Sequence, residues 1–230
     1  MDTSLYAALG LGFVLGIRHA IDADHLAAVS TLVSQHRSLA RTCLLGTFWG
    51  LGHTVALLTA GVATIALRVN IPAGLERSLE QVVGCMLILL GGHVLVKLLA
   101  EWGLHTHGVA NEERSHRHAD ARSEDAPRHA HAHLLRVGRR PFIVGVVHGM
   151  AGSAALMLLV AAALPSPLGA FLYILVFGIG STLGMLLLSG LIGLPFALAA
   201  EWSSRGLALI QAIAGVISGG LGLTLLWSLA

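Results

Sequence analysis

Residues 18–25 of this 230-residue chain read Arg18-His19-Ala20-Ile21-Asp22-Ala23-Asp24-His25, which sets two imidazoles, two carboxylates and a guanidinium inside an otherwise apolar stretch. Ionisable groups are costly in a bilayer core, so where they occur they face a pathway, a partner or an ion. Imidazole together with carboxylate is a ligand set for divalent transition metals. On a regular helix His19 and Asp22 share a face within one turn, as do Asp22 and His25, while Asp24 points elsewhere. Such a helix offers His19, Asp22 and His25 to one ion. It leaves Asp24 to hold a neighbouring helix or the ring of a ligand His, a standard use of a carboxylate beside a metal site. Local unwinding brings all four side chains together. An Arg18–Asp pair that merely joins helices would leave both histidines without a role.

Other polar side chains at membrane depth extend the candidate set. His53 follows Gly50 and Gly52, small residues that permit close helix contact, and is expected to line the metal path. His148 is expected there too. His93 follows Gly91-Gly92 and is a secondary ligand, better suited to bonding another helix. Thr54, Ser153, Ser181 and Thr182 are secondary oxygen donors, although such hydroxyls commonly bond their own helix backbone.

The elements that must hold these groups are transmembrane helices. The chain is 55% hydrophobic and 11% charged, with a mean hydropathy of +0.79, outside the range of a soluble domain. Its apolar runs predict six spans, at roughly 5–33, 43–67, 79–99, 141–164, 168–194 and 206–229. The first exceeds the ~20 residues that cross hydrocarbon, so it must tilt, protrude or break. Pro195 is expected to end or kink the fifth. Asp2 is the only charge before the first span, so residues 5–17 read as a retained helix rather than a cleaved signal. Cys43 and Cys85 lie in apolar segments and form no disulfide framework.

Charge asymmetry orients the spans. Arg37 and Arg41, the basic residues from Lys97 to Arg140, and Arg205 all fall in connections on one face, against Arg68 and Arg77 on the other. The positive-inside rule puts those basic connections in the cytoplasm and both termini outside.

The chain also repeats itself. Gly16-Ile17-Arg18-His19-Ala20 parallels Gly145-Val146-Val147-His148-Gly149, and Trp49-Gly50-Leu51-Gly52-His53-Thr54 parallels Phe177-Gly178-Ile179-Gly180-Ser181-Thr182. Gln81 and Gln211 open comparable stretches, and the offsets cluster at 128–130 residues. Each half holds an odd number of spans, so the halves must be inverted, an arrangement found in transporters with the site at the repeat interface. The expected fold is all-α: a polytopic membrane protein of six transmembrane helices as two inverted three-helix repeats. Residues 1–100 form the first repeat with the metal motif, 101–140 a His-rich cytoplasmic loop, and 141–230 the second repeat.

That loop carries His105, His107, His116, His118, His129, His131 and His133 among Arg, Asp and Glu, with few large apolar residues. It cannot bury a core and is expected to be disordered. His-rich tracts hold divalent metal weakly and adjustably, so an auxiliary metal-binding role follows.

His19, four residues, then Asp24-His25 resembles the signature of the nickel/cobalt transporter family, where that pattern marks the helix central to metal recognition. Gly50-Leu51-Gly52-His53-Thr54 resembles the family's Gly-His-Ser/Thr element in the next helix. The six-span layout with His148-Gly149-Met150-Ala151-Gly152-Ser153 is most similar to the urease-accessory nickel permease branch. Typical members carry an Asp- and Glu-containing motif in a later helix, where this chain has His148 and Ser153. The resemblance implies Ni²⁺ or Co²⁺ as transported substrate.

No nucleotide-binding glycine loop with its Lys-Ser/Thr is present, no enzyme is expected, and no cofactor is called for. Interleaved acidic and basic residues argue against nucleic acid. The reading is a permease of the bacterial cytoplasmic membrane that takes up Ni²⁺, with Co²⁺ second, through His19, Asp22, Asp24 and His25, helped by His53 and His148. Expected partners are the divalent ion, the lipid bilayer, and a cytoplasmic nickel metallochaperone or urease or hydrogenase maturation proteins. The alternatives are an exporter of the same architecture and a non-transporting metal sensor or metallochaperone-docking membrane protein.

Overall fold

The structure is a computed structural model that describes residues 3–36, 38–67, 72–105, 130–150, 161 and 163–229. Within them the chain forms seven helices: α1 (Thr3–His19), α2 (Ala23–Val33), α3 (Leu39–Leu67), α4 (Ala73–His105), α5 (Ala130–Gly149), α6 (Pro167–Trp202) and α7 (Ser204–Ser228). Helices α3, α4, α6 and α7 are each long and apolar enough to cross a membrane, and α1 with α2 qualifies as one span bent by 56°. The over-long first span therefore breaks. The expected span at 141–164 is described as far as Met150, and residues 151–160 lie outside the described residues.

Two expectations need correction. Of the two outcomes expected of Pro195, ending or kinking the fifth span, the first does not occur: α6 runs through it to Trp202. Packed neighbours can supply what the missing N–H removes, which is why membrane helices tolerate proline. The expected loop 101–140 is helical at both flanks, since α4 continues to His105 and α5 begins at Ala130. Ala130, Ala132, Leu134 and Leu135 are strong helix formers, and they outweigh the polar composition there. Two serines cap helices as their types predict: Ser166 Oγ accepts from Gly169 N at 2.9 Å at the start of α6, and Ser203 Oγ from Gly206 N at 3.2 Å at the start of α7.

The bundle is built on pairs that approach through glycine: α3 with α6, α1 with α6, α3 with α5, and α4 with α7. The contacts are reciprocal. A Cβ on Gly16 of α1 would run into the carbonyl of Phe177 on α6, and one on Gly145 of α5 into the carbonyl of Trp49 on α3. Likewise Gly180 meets the carbonyl of Phe13, and Gly52 that of Phe142. Gly50 faces Thr182 and Gly178 faces Thr54. Thr54 Oγ1 donates to the Gly178 carbonyl at 2.9 Å and lies 2.9 Å from Thr182 Oγ1, clamping α3 to α6. Helix α4 is tied to α7 by Ser218 Oγ, which donates to the Leu87 carbonyl at 3.0 Å. One core gathers Ala28, Val29, Trp49, Leu87 and Met185, and a second Leu57, Tyr173, Ile174 and Phe177. Outward faces are apolar as lipid requires, with Leu89, Val96 and Leu191 exposed.

A cavity of about 110 Å³ lies between the ends of α2, α4 and α7, lined by Ser34, Gln35, Lys97, Glu101 and Gln211 among others. Gln211 Nε2 donates to the Ser34 carbonyl at 2.6 Å and Lys97 Nζ to Gln35 Oε1 at 3.1 Å. In the adjoining connection, burial first and then the charges of Arg41 and Lys97 lower the pKa of His36, so its ring is neutral near pH 7. That contribution to stability is present above the ordinary imidazole pKa and is lost as pH falls through the lowered value.

The glycine crossings predict a sharp asymmetry between substitutions. Gly145→Val should destabilise the bundle by on the order of 1–3 kcal/mol, the usual cost of overpacking, and more if the helices must separate. Gly10→Ala, whose Cβ meets nothing within 4 Å, should be neutral. Thermal unfolding of both variants in detergent checks this, and equal melting temperatures would refute the close crossing.

Candidate metal centre

The break between α1 and α2 follows from where the charges fall. Arg18 and His19 close α1, where the helix dipole favours cations, and Asp24 lies in the first turn of α2, where it favours anions. The intervening backbone is satisfied by short-range bonds: Ile21 N donates to the Arg18 carbonyl at 2.9 Å and Asp22 N to that of His19 at 3.1 Å. Asp22 occupies the N-cap position of α2 but makes no side-chain cap. Its Oδ2 instead accepts from His19 Nδ1 at 2.9 Å.

Four histidines from four helices converge beside this break: His19 at the end of α1, His25 in the first turn of α2, His53 in α3 and His148 near the end of α5. All are buried. Their ring centroids are 4.2 Å apart for His25–His148, 4.6 Å for His19–His25, 5.1 Å for His19–His53 and 5.2 Å for His25–His53. Asp24 joins two of them. Its Oδ1 accepts from His25 Nδ1 at 3.0 Å and from the His25 backbone N–H at 2.9 Å, and its Oδ2 accepts from His148 Nε2 at 3.0 Å.

These bonds fix which nitrogens carry lone pairs. With Nδ1–H of His19 given to Asp22, its Nε2 accepts from His53 Nε2–H across 3.1 Å. Bare nitrogens then remain at His53 Nδ1, His25 Nε2 and His148 Nδ1, all buried and without a hydrogen-bond partner among the described residues. Neutral imidazole nitrogens oriented by carboxylates are good metal ligands. With the His53 proton on Nδ1 instead, His19 Nε2 and His53 Nε2, 3.1 Å apart, would subtend about 95–100° at an ion bound at about 2.0–2.1 Å. Two donor groups have all their ligand atoms within 4.8 Å of one another: His19, His25 and His53, and Asp24, His25 and His148. Aromatic rings wall the site, Trp49 against His25 at 5.3 Å and His148 at 5.7 Å, and Phe177 against His19 at 5.5 Å.

Of the residues the sequence singled out, the structure thus brings together His19, Asp22, Asp24, His25, His53 and His148. Asp22 belongs to neither donor group and only holds His19; its side chain is half exposed. His93 is exposed on α4, outside both groups. Thr54 and Thr182 are engaged with each other, while Ser181 Oγ is buried without a hydrogen-bond partner among the described residues. Ser153, His107, His116, His118 and His129 lie outside the described residues; His105 ends α4, and His131 and His133 fall in the first turn of α5. Sequence reasoning missed Trp49 and Phe177 as walls of the site. The signal was available, since each opens the repeated stretch that carries His53 or its counterpart Ser181.

Buried imidazoles and a partly buried carboxylate gathered among helices of membrane-spanning length define a multi-pass membrane protein with a metal-ligand cluster inside the bundle. Comparison with known proteins narrows the class. Residues 5–216 match the NicO family, described as high-affinity nickel-transport protein, and the chain belongs to that family. It is 39% identical over 228 residues, 99% of the chain and 94% of the relative, to the urease accessory protein UreH of Bacillus sp. (strain TB-90). A high-affinity nickel transport protein of Cryptococcus neoformans var. grubii is 41% identical over 71 residues, covering 29% of the chain and 14% of the relative. The chloroplast protein FOR GROWTH AND FERTILITY 2 of Arabidopsis thaliana is 25% identical over 187 residues, 80% of the chain and 46% of the relative. No solved structure matches the chain. Membership of NicO places the chain among transport proteins rather than enzymes.

The two aspartates should separate in a binding measurement. Asp22→Asn removes only the group that orients His19 and leaves Asp24, His25 and His148 in place, so Ni²⁺ affinity should fall by no more than roughly a few-fold. Asp24→Asn replaces an acceptor shared by three N–H groups and should cost more. Equilibrium dialysis of the purified variants against radioactive Ni²⁺ checks the order, and a larger loss for Asp22→Asn would reverse the two roles.

Proposed function

We propose that the chain carries Ni²⁺, with Co²⁺ as second substrate, into the cell through the buried His/Asp cluster. The observation that carries this reading is the convergence of His19, His25, His53 and His148 with Asp24 inside a bundle of membrane-spanning helices. Membership of a nickel-transport family supports the ion and the process. The UreH relative, a urease accessory protein by name, supports a link to supplying nickel for enzyme maturation. Cytoplasmic metallochaperones or maturation proteins would then receive the ion.

The architecture proposed is six spans in two inverted three-helix repeats. The reciprocal crossings support it: Gly16 on Phe177 and Gly145 on Trp49 exchange under an offset of 128–129 residues, as do Gly52 on Phe142 and Gly180 on Phe13. Transport would proceed by rocking one repeat against the other about the cluster. Both termini would lie outside, with the His-rich segment in the cytoplasm, as the basic connections favour.

Cells expressing the chain should accumulate Ni²⁺, and His19→Ala or His25→Ala should abolish accumulation without loss of membrane insertion. Replacing His105, His107, His116, His118, His129, His131 and His133 together should leave transport at saturating Ni²⁺ intact, because water remains an alternative partner for them. Wild-type flux in both motif variants would refute the site, and an inactive but inserted loop variant would favour a sensor or docking role.

For topology, a cysteine at Thr3 should react with an impermeant thiol reagent in intact cells, and one between 110 and 125 should not. The opposite pattern would invert the orientation.

A further inference from the structure

The five donors of the cluster do not form one site. Their ligand atoms fall into two groups of three, His19/His25/His53 and Asp24/His25/His148, each within 4.8 Å, and His25 belongs to both. An ion bound at about 2.0–2.1 Å holds its ligand atoms no more than about 4.2 Å apart, so either triad closes on an ion with a contraction of at most about 0.6 Å. Gathering all five asks for more, because the five ligand atoms do not all lie within that 4.8 Å of one another.

Resting on the carrier reading, we infer that the cluster is a two-station path for a single ion, with His25 as the ligand common to both stations. The first station is all nitrogen and comes from α1, α2 and α3. The second adds a carboxylate oxygen and takes His148 from α5. Passage exchanges His19 and His53 for Asp24 and His148 while His25 stays bound, so the ion is never stripped of protein ligands. Because His25 serves both stations, two ions cannot occupy them together.

The stations also differ in how they respond to motion. His19, His25 and His53 all lie before residue 100, in the first half of the chain, whereas the second station spans both halves through His148. Movement of α5, which carries His148, relative to α1, α2 and α3 changes the second station and spares the first. A relay built this way has one fixed and one variable stop.

The test uses purified full-length protein with Co²⁺ as optical probe and Ni²⁺ for binding and liposome flux. Wild type should bind one ion. His53→Gln and His148→Gln should each still bind one ion, with apparent affinity lowered about twofold if the stations are equally populated, and each should lose flux. Their Co²⁺ spectra should differ, nitrogen-only in His148→Gln and mixed oxygen/nitrogen in His53→Gln. His25→Gln should lose binding altogether, with the variant's elution on size exclusion showing that it remains folded. Two ions bound to wild type, or equal large losses of affinity with identical spectra in His53→Gln and His148→Gln, would overturn the relay and leave a single-site carrier. Absence of Ni²⁺ binding and flux in wild type would instead overturn the carrier reading itself.

Discussion

The carboxylate of Asp24 is the interaction on which the site depends. A charge removed from water must recover its hydration from hydrogen bonds or partners. Asp24 does so with three N–H groups, two from His25 and one from His148. Meeting that demand has structural consequences. The bond to its neighbour's backbone fixes the first turn of α2, and the bond to His148 draws α5 against that turn. Since His148 belongs to the second half of the chain and Asp24 to the first, one carboxylate joins the two halves at the point where the ligands meet.

Nothing so compact forms unless the helices come close enough. Imidazole rings on four helices lie 4–6 Å apart only because Gly16, Gly52, Gly145 and Gly180 let backbone run against backbone. Hydrophobic burial contributes little to helix association in lipid, so packing of this kind carries much of the cohesion. The Thr54–Thr182 contact adds a polar clamp where α3 and α6 cross. Gly149 continues the pattern, for a Cβ there would meet the backbone of His53 at 2.6 Å. Crossing and chemistry are therefore largely the same places in the chain: His19, His53 and His148 each stand beside or one turn from a glycine that admits its neighbour.

Much of this was legible in the sequence, for a physical reason. Ionisable residues in an apolar stretch have few innocent explanations, so His19, Asp24, His25, His53 and His148 stood out by type and setting. The break of the first span was legible from length, and its position from the charges at 18–25. The division of labour between the aspartates was not. On a regular helix Asp22 faces the ligand histidines and Asp24 faces away; the break at residues 20–22 reverses this and makes Asp24 the shared acceptor. Thr54 and Thr182 looked like oxygen donors because sequence spacing shows proximity to a site but not which neighbour a hydroxyl meets. Pro195 and the flanks of the His-rich segment went the other way, since packing and local helix propensity overrode a composition that favoured interruption.

The two halves share a scaffold but not a chemistry. At the 128–129-residue offset His19 corresponds to His148 and Thr54 to Thr182, yet His53 corresponds to Ser181, Asp24 to Ser153 and His25 to Ala154. Equivalent donor sets in both halves would have given two equivalent sites. Here four of the five donors lie in the first half, and the second contributes one imidazole. In the proposed carrier the reciprocal glycine crossings would let the halves shift against each other in mirrored fashion, while their unequal ligand sets would make the chemical result of that shift one-sided. Rocking would then alter a single coordinate at the metal cluster, the position of His148 relative to Asp24 and His25. A symmetric frame with asymmetric ligands is a physical means by which a small helical protein without a nucleotide-binding loop can turn relative motion of two similar halves into a directed change of coordination.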